Sequence, residues 1–478
     1  MVAVAAHQLN LGRLGSQQVV LTFDGERIVS DTGLLAVRAL DKPLGILAGL
    51  AARLPDPRAP KYIQHSAEAI LTQEVYQILA GYPDFDDANS LRDDPLFQIL
   101  ADVAPDPTHP LASGSTLARF QYAFTRRQAE LPLEERPVLA EIDRAQSQRL
   151  KIANAYLVEL FVRTRRTVPA EIILDIDATD DPTHGRQTLS AYHGYYGQHQ
   201  YFPLLVYDGA SGFPLAAWLR PGTVHASCGA VDILRPLVTQ LRAAWPGVAI
   251  TVRGDSGLAV PDVYDFCEAE HLQYVLGYAS NAVLERATAC ALADVELYYR
   301  CYGQREPHVQ RFEEVPGYQA GSWPHPRRVI AKIERTPQGS QRRFVVSNRP
   351  EAAAVLYQEV YVQRGAVPEQ PIGEMKHGLR AERLSACGFR ANAFRLLVHT
   401  LAYALVVLFR EAVAAVPDVA RASVTTLRQR LWKVGAVVRV RAQRLWLQVS
   451  ASWPHRELWL RVVEAVRAFT AVLTTPAG

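Results

Sequence analysis

The chain has 478 residues, 49% of them apolar and 21% charged. At roughly 100–200 residues per domain it needs more than one domain, and these ordinary fractions exclude a globally disordered polymer. Lys plus Arg (51) against Asp plus Glu (48) leaves a net charge of +3, too small a bias to argue nucleic-acid binding by itself.

Residues 1 to about 110 read mostly as helix. Asp31, Thr32 and Gly33 offer a helix start leading into LLAVRALDKPLGILAGLAARL, with Pro43 as an interruption. A second helix is predicted over about Ser66–Leu79, followed by Asp-rich turns. The stretch 104–116, rich in Pro, Ser and Gly, reads as a loop. Helices then continue to about Thr164.

The pattern changes at Val168. AEIILDID is a short, Ile-rich apolar run of the kind that forms a buried strand. YFPLLVYD (201–208) and FPLAAWLR (213–220) flank an Asp-Gly-Ala-Ser-Gly turn and predict a hairpin. A helix around Gly229–Trp245, a strand in VAITVRGDSG (248–257), a helix around Val260–Glu270 and a strand in QYVLGYAS (273–280) follow. Between 290 and 350, VELYYRCY, RRVIAKIER and RRFVVSNR alternate polar and apolar residues and predict an inserted antiparallel sheet. Beyond 352 the reading is helical over about Ala353–Arg364, Pro368–Ala381, Ala391–Ala415 and Thr425–Lys433. A strand pair in 437–450 and a helix over Arg456–Thr470 close the chain. The fold class is α/β.

The most apolar run, Leu396–Phe409, contains His399 and is bracketed by Arg395 and Arg410. It is shorter than the ~20 residues a membrane span needs, so it reads as a buried core helix. No basic stretch followed by an apolar one marks a signal peptide at the N-terminus. The five cysteines are scattered and form no CxxC pair, which fits a reducing cytosol and disfavours a disulfide framework or zinc knuckle. Basic residues cluster at Arg126–Arg127, Arg163–Arg166, Arg327–Arg328, Arg342–Arg343 and from Arg428 to Arg444. Any one cluster is as readily a solvated face as a phosphate contact.

Two predicted buried strands end in acids. AEIILDID ends at Asp177, and the strand in VAITVRGDSG ends at Asp255, before Ser256 and Gly257. Burying a carboxylate is costly unless it is paired or bound to metal, and ligands gather at the carboxyl ends of strands in α/β sheets. Each acid taken alone is better read as a turn or helix cap, and only the two together bring the site reading level with it. A third acid, needed to complete a two-metal site, is sought in 361–385, where Tyr361, Arg364, Glu369 and Lys376 stand out. Glu369 and Lys376 are two helical turns apart and would share a face. An amphipathic helix with surface charges is the bland reading of that stretch. His184, His193 and His199 lack the spacing of a compact zinc site.

Taken together, ILDIDATDDPTHGRQ, the following HGYYG, the VRGDSG turn and the Tyr361-Arg364-Glu369-Lys376 stretch resemble the DDE transposases of the IS-four superfamily, and within it the IS-thirteen-eighty group. The likeness extends to DTGLLAVRALD, QEVYQILAGYPDFDDANSLRDDPLFQ, SWPHPRRVIAKIE and RRFVVSNR. No single motif decides it; their order and spacing do. The resemblance implies an RNase H-like catalytic core with an inserted antiparallel β-domain and helical N- and C-terminal regions. It divides the chain into a DNA-end-binding region (1–110), a helical linker (111–167), the first part of the core (168–285), the inserted β-domain (286–352), core helices with the third acid (353–415) and a C-terminal region (416–478).

The resemblance also implies the chemistry, which is metal-dependent strand cleavage at element ends and strand transfer into target DNA. Asp177, in the Asp177-Ala178-Thr179 context, matches the first catalytic acid, with Asp175 on the same strand face as its rival. Asp255 matches the second and Glu369 the third. Tyr361, Arg364 and Lys376 match the accompanying signature. The three acids would bind two Mg²⁺ ions, with Mn²⁺ able to substitute. Four residues, Gly365–Pro368, stand between Arg364 and Glu369 where the family has three, which brings Glu374 into play as a substitute. Trp323, Arg327 and Arg328 are implied to stack on and grip a DNA end, although Trp323 reads equally well as core. The implied partners are double-stranded DNA, as terminal inverted repeats and target, and a second copy of the chain in the DNA complex. No membrane is involved, and the expected place is the bacterial cytoplasm at the nucleoid. The alternatives are a catalytically silent or domesticated DNA-binding relative, or another RNase H-like metal nuclease.

Overall fold

The computed structural model of the chain describes residues 8–56, 58, 61, 63–122, 139–366, 369–441 and 444–475. Arg126–Arg127, one of the basic clusters, lies outside them. The first elements are strands where helix was expected. β1 (Leu9–Leu14) and β2 (Gln17–Leu21) pair around Gly15, whose positive φ of 61° suits a tight turn, and β3 (Ile28–Val29) follows. The helical reading of the N-terminal region holds from Thr32 onward. A 3-10 turn, Thr32–Leu34, runs into helix Leu35–Leu44. Pro43 sits in its last turn, and left-handed Gly45 separates it from Ile46–Arg53. Ser66 caps helix Ala67–Ala80 by accepting a hydrogen bond from the Ala69 amide at 3.1 Å.

The central sheet begins after the long helix Leu139–Thr164 with β4 (Glu171–Ala178). β5 (Asp181–Pro182), β6 (Ala191–His193) and β7 (Gln198–Tyr201) make a small separate sheet that the sequence pattern did not announce. β8 (Leu204–Asp208) and β9 (Pro214–Trp218) form the expected hairpin, and β10 (Ala249–Gly254) and β11 (Gln273–Tyr278) the expected strands, with helices Ala230–Ala244 and Pro261–Ala269 between them. β12 (Val309–Val315), β13 (Val329–Thr336) and β14 (Gly339–Ser347) complete one sheet, whose order in space is β12-β13-β14-β11-β10-β4-β8-β9. β10 runs parallel to both β4 and β11, and the other pairings are antiparallel.

Two expectations for residues 290–350 need correction. VELYYRCY is helical: it forms the end of helix Ala289–Tyr302. Ala291 and Val295, four residues apart, are buried and give that helix its inner face. The strands β12–β14 do not stand apart as a second sheet; β14 bonds to β11 and extends the central sheet.

The run Leu396–Phe409 lies within helix Phe389–Ala412 and is buried along its whole length. This helix is long and apolar enough to cross a membrane, yet it is enclosed by helices Ala67–Ala80 and Leu139–Thr164 and by β9. A helix apolar all round belongs in such an interior. The C-terminal part supplies β15 (Ala436–Arg441) and β16 (Arg444–Val449), with β15 also pairing with β3, and then helix Arg456–Thr474.

The sheet's parallel centre places the site. Strands covered on both faces are apolar throughout, and Ile172, Leu174, Ile176, Ile250 and Val252 are buried. Asp175 and Arg253 break this pattern as register partners on β4 and β10. One position further on, the paired residues Ile176 and Gly254 lead into Asp177 and Asp255, side by side at the carboxyl ends of adjacent strands.

Candidate active site

Arg364 joins the two strand-end acids. Its Nη2 donates to Asp177 Oδ2 at 3.1 Å and stands 4.0 Å from Asp255 Oδ2. The two carboxylate oxygens therefore lie within the sum of those distances of each other. The Asp177 side chain is 13% exposed and that of Asp255 is 43% exposed, so both remain reachable from solvent. Asp255 does two things at once. Its Oδ1 accepts from the Gly257 amide at 2.9 Å and caps the turn Ser256–Leu258, while its Oδ2 faces Arg364. Reading it as a turn cap and reading it as a functional acid are thus compatible.

Tyr361 sits beside this pair. A Cβ on Gly277 of β11 would fall 2.5 Å from the Tyr361 hydroxyl and 3.0 Å from the Ser256 amide. The absence of a side chain at 277 is what admits the phenol. Burial raises its pKa; Arg364 opposes that, and Asp255 adds to it.

Asp175, the rival first acid, is occupied elsewhere. It is fully buried and receives Arg253 Nε at 2.5 Å and Nη2 at 2.6 Å. Burial pushes its carboxyl up and the bonds to Arg253 pull it down. Lys376 donates to Asp180 Oδ1 at 2.8 Å and to the Asp180 carbonyl at 3.0 Å, and Gln198 reaches the other carboxylate oxygen at 3.0 Å. Burial acts to raise the Asp180 pKa, but the Lys376 bond and charge together with the Gln198 and backbone bonds outweigh it, and the net shift is downward. Asp180 was not singled out from the sequence. Its signal was its place three residues after Asp177, on the same segment.

Glu369 opens the helix Glu369–Gly373, and its side chain lies outside what the structure describes. The continuous α-helix expected from Glu369 to Lys376 is interrupted, because Glu374–Gly378 is a π-helical turn. A second π-turn, Leu356–Tyr361, precedes Arg364. Such turns shift side-chain phase and recur at functional sites. Glu374, the candidate substitute, is turned into the core. It accepts from Arg410 Nη1 at 2.8 Å and Nη2 at 2.6 Å, from the Tyr403 hydroxyl at 3.2 Å and from the Val424 amide at 3.2 Å. That set of bonds is structural.

A profile described as Transposase DDE domain group 1 matches residues 11–471. The chain belongs to this transposase family. No curated protein matches it. Among solved structures it is similar to the piggyBac transposase synaptic complex with hairpin DNA, at 12% sequence identity and a TM-score of 0.42, over 84% of this chain and 80% of that one.

In this transposase-family chain the residues expected to grip DNA are placed differently. Trp323 is 4% exposed and packs among Tyr264, Tyr278 and Tyr318. Arg327, also buried, donates to Glu268 and Asp265 and lies over the Tyr264 and Trp323 rings. Arg328 bonds Glu314 and the carbonyls of Arg349 and Glu351. An indole enclosed by three aromatic rings offers no face to a base, and the two guanidiniums already have partners. The expected trio is therefore a packing unit in this structure.

Among the described residues, no group of three or more His, Cys, Asp or Glu side chains is arranged to hold a metal. Asp177 and Asp255 form a pair. The pair nonetheless suits a hard cation. Both ligands are carboxylates, their oxygens converge, and a positive charge, that of Arg364, is already drawn between them. His193 stacks near Tyr196 and Phe202, which is an aromatic packing role.

Proposed function

We propose that the protein is a DDE transposase of the IS-four superfamily, in its IS-thirteen-eighty group, that cleaves DNA strands at the ends of an insertion sequence and joins them to target DNA. The observation that carries this reading is the convergence of Asp177 and Asp255 on one Arg364 nitrogen, at 3.1 and 4.0 Å. The antiparallel hairpin β8–β9 beside the parallel set β4, β10 and β11 supports an RNase H-like core.

Asp177, Asp255 and Glu369 would hold two Mg²⁺ ions, with Mn²⁺ as a substitute. When bound, such a pair of ions sharpens the attacking oxygen and steadies the leaving oxygen of an in-line displacement. The chain's own residues have separate tasks. Asp177 and Asp255 supply the carboxylate oxygens. Arg364 balances their charge, and its planar donors suit a phosphate. Lys376, held by Asp180, places an ammonium near the same strand end. In the first step the oxygen of water bonds to phosphorus as the bond from phosphorus to the 3′-oxygen breaks. In the second, the freed 3′-hydroxyl bonds to a target phosphorus and the target's own 3′-oxygen leaves. No covalent protein–DNA intermediate is required. Two element ends must be held together, which favours a homodimer on double-stranded DNA, in the bacterial cytoplasm at the nucleoid.

The test is strand cleavage of end-containing DNA in Mg²⁺ by the wild type and by Asp255→Asn. Cleavage by the wild type and its loss in the variant support the proposal. Undiminished cleavage by the variant refutes the assignment. A wild type that binds the DNA but leaves it intact identifies a silent relative instead.

A further inference from the structure

We infer that Arg253 and Asp175 are positioning residues, which lock the segment carrying Tyr361 and Arg364 against the strand ends carrying Asp177 and Asp255. The inference rests on the reading of Asp177 and Asp255 as the working acids.

The pair lies where a sheet ordinarily has apolar residues. The Arg253 and Asp175 side chains are 1% and 0% exposed, between Leu174 and Ile176 on one strand and beside Val252 on the other. An ion pair in such a place is often no more stabilising than apolar residues of the same size, so packing alone does not call for it. What the pair adds is a third bond. Arg253 uses Nε and Nη2 on Asp175, and its remaining nitrogen, Nη1, donates to the Val360 carbonyl at 2.5 Å. Val360 belongs to the π-turn Leu356–Tyr361, directly before Tyr361 and shortly before Arg364. Carbonyls at the end of a helical turn lack a partner within it, and Arg253 supplies one.

The guanidinium is also enclosed. A Cβ on Gly209, in the turn between β8 and β9, would fall 3.0 Å from Nη2 and 2.9 Å from Ile173. Strand β4, strand β10, that turn and the π-turn therefore meet at one planar group. The side chains of Asp175 and Asp177 share a face of β4, and Arg253 precedes Asp255 by two residues. The clamp thus lies one step inward from the acids on both strands. A displacement of Val360 passes along the chain to Arg364, whose contact with Asp177 is 3.1 Å.

Arg253→Lys separates this role from mere stability. A lysine ammonium can still neutralise Asp175, but it lacks the planar fork needed to reach Val360 as well. The double variant Asp175→Met/Arg253→Met removes both charges together and so leaves neither one buried without its partner. For each variant four quantities are measured: thermal unfolding, binding of end-containing DNA, its cleavage, and amide hydrogen exchange. The expected result is a folded protein that binds end DNA like the wild type but cleaves it on the order of 10–100-fold more slowly. Amides of residues 356–364 should exchange faster while those of β4 and β10 keep their protection. Cleavage within twofold of the wild type overturns the inference. So does unchanged exchange over 356–364, or a general loosening that includes β4 and β10. If Arg253→Lys fails to fold, the double variant decides by the same measures. A wild type without cleavage would sink the reading of Asp177 and Asp255 as working acids, whereas the exchange experiment tests separately whether Arg253 holds residues 356–364 in place.

Discussion

Arg364 donates from Nη2 to Asp177 Oδ2 at 3.1 Å and faces Asp255 Oδ2 at 4.0 Å with the same nitrogen. Its Nε is buried without a hydrogen-bond partner, so the arginine is held mainly by the charge of the two acids. Arg364→Ala leaves two anions facing each other. The variant should lose about 1–3 kcal/mol in chelator and regain more stability than the wild type does when Mg²⁺ is added. Thermal melts with and without Mg²⁺ check this. An equal response to the ion in both proteins would show that Arg364 and a cation do not compete for the same charge.

Asp175 and Asp177 are two residues apart on one strand, yet their substitutions should differ sharply in what they cost the fold. Asp175→Asn leaves Arg253 buried beside a neutral partner, a loss of about 3–5 kcal/mol. Asp177→Asn should melt close to the wild type and cleave DNA on the order of 10²-fold more slowly or worse. Urea unfolding and cleavage on the same preparations separate the two. The reverse pattern would hand the catalytic role to Asp175.

Glu374→Gln tests the assignment of Glu374 to the fold. Arg410 grips both of its oxygens, so the change should cost about 3–5 kcal/mol while cleavage per folded molecule stays as in the wild type. A stable variant that no longer cleaves would make Glu374 the third acid in place of Glu369.

The acid limb of stability should carry a signature of His399. Burial within helix Phe389–Ala412, with Arg395 one turn away, pushes its imidazole down from 6.5 to about 3. Between those values the unfolded chain holds a proton that the folded chain does not. Stability therefore falls as the pH drops from about 6.5 toward 3, by about 1.4 kcal/mol per pH unit for one proton, and His399 adds no slope above that window. His399→Leu should flatten this limb. Unfolding free energies of both proteins at neutral pH and near pH 5 are the measurement, and parallel curves would contradict it.

A substitution at Gly277 probes the seat of Tyr361. Gly277→Ala puts a methyl 2.5 Å from the phenol oxygen, and overpacking of this kind costs about 1–3 kcal/mol. Tyr361→Ala in the same chain should relieve the loss. If the double variant is less stable than either single one, the strain lies in the backbone at Ser256 instead.

Local pattern alone determined the strands that end at Asp177 and Asp255, the helix over about Ser66–Leu79, the interruption at Pro43 and the buried run Leu396–Phe409. Each follows from short-range rules: which side chains turn inward at a given period, and which residues can satisfy or end a run of backbone hydrogen bonds. What those rules cannot express is the choice of a distant partner. Asp175 and Asp177 share a face, and only the parallel register of β4 with β10 gives Arg253 to the first and leaves the second at the carboxyl end of the strands. The same limit hid the enclosure of Trp323 by three tyrosines, the joining of β14 to β11, and the Arg410 grip on Glu374. Alternation marks a residue as inward or outward on its own strand, but whether that outward face meets water or another layer is decided by the packing of segments far apart in the chain.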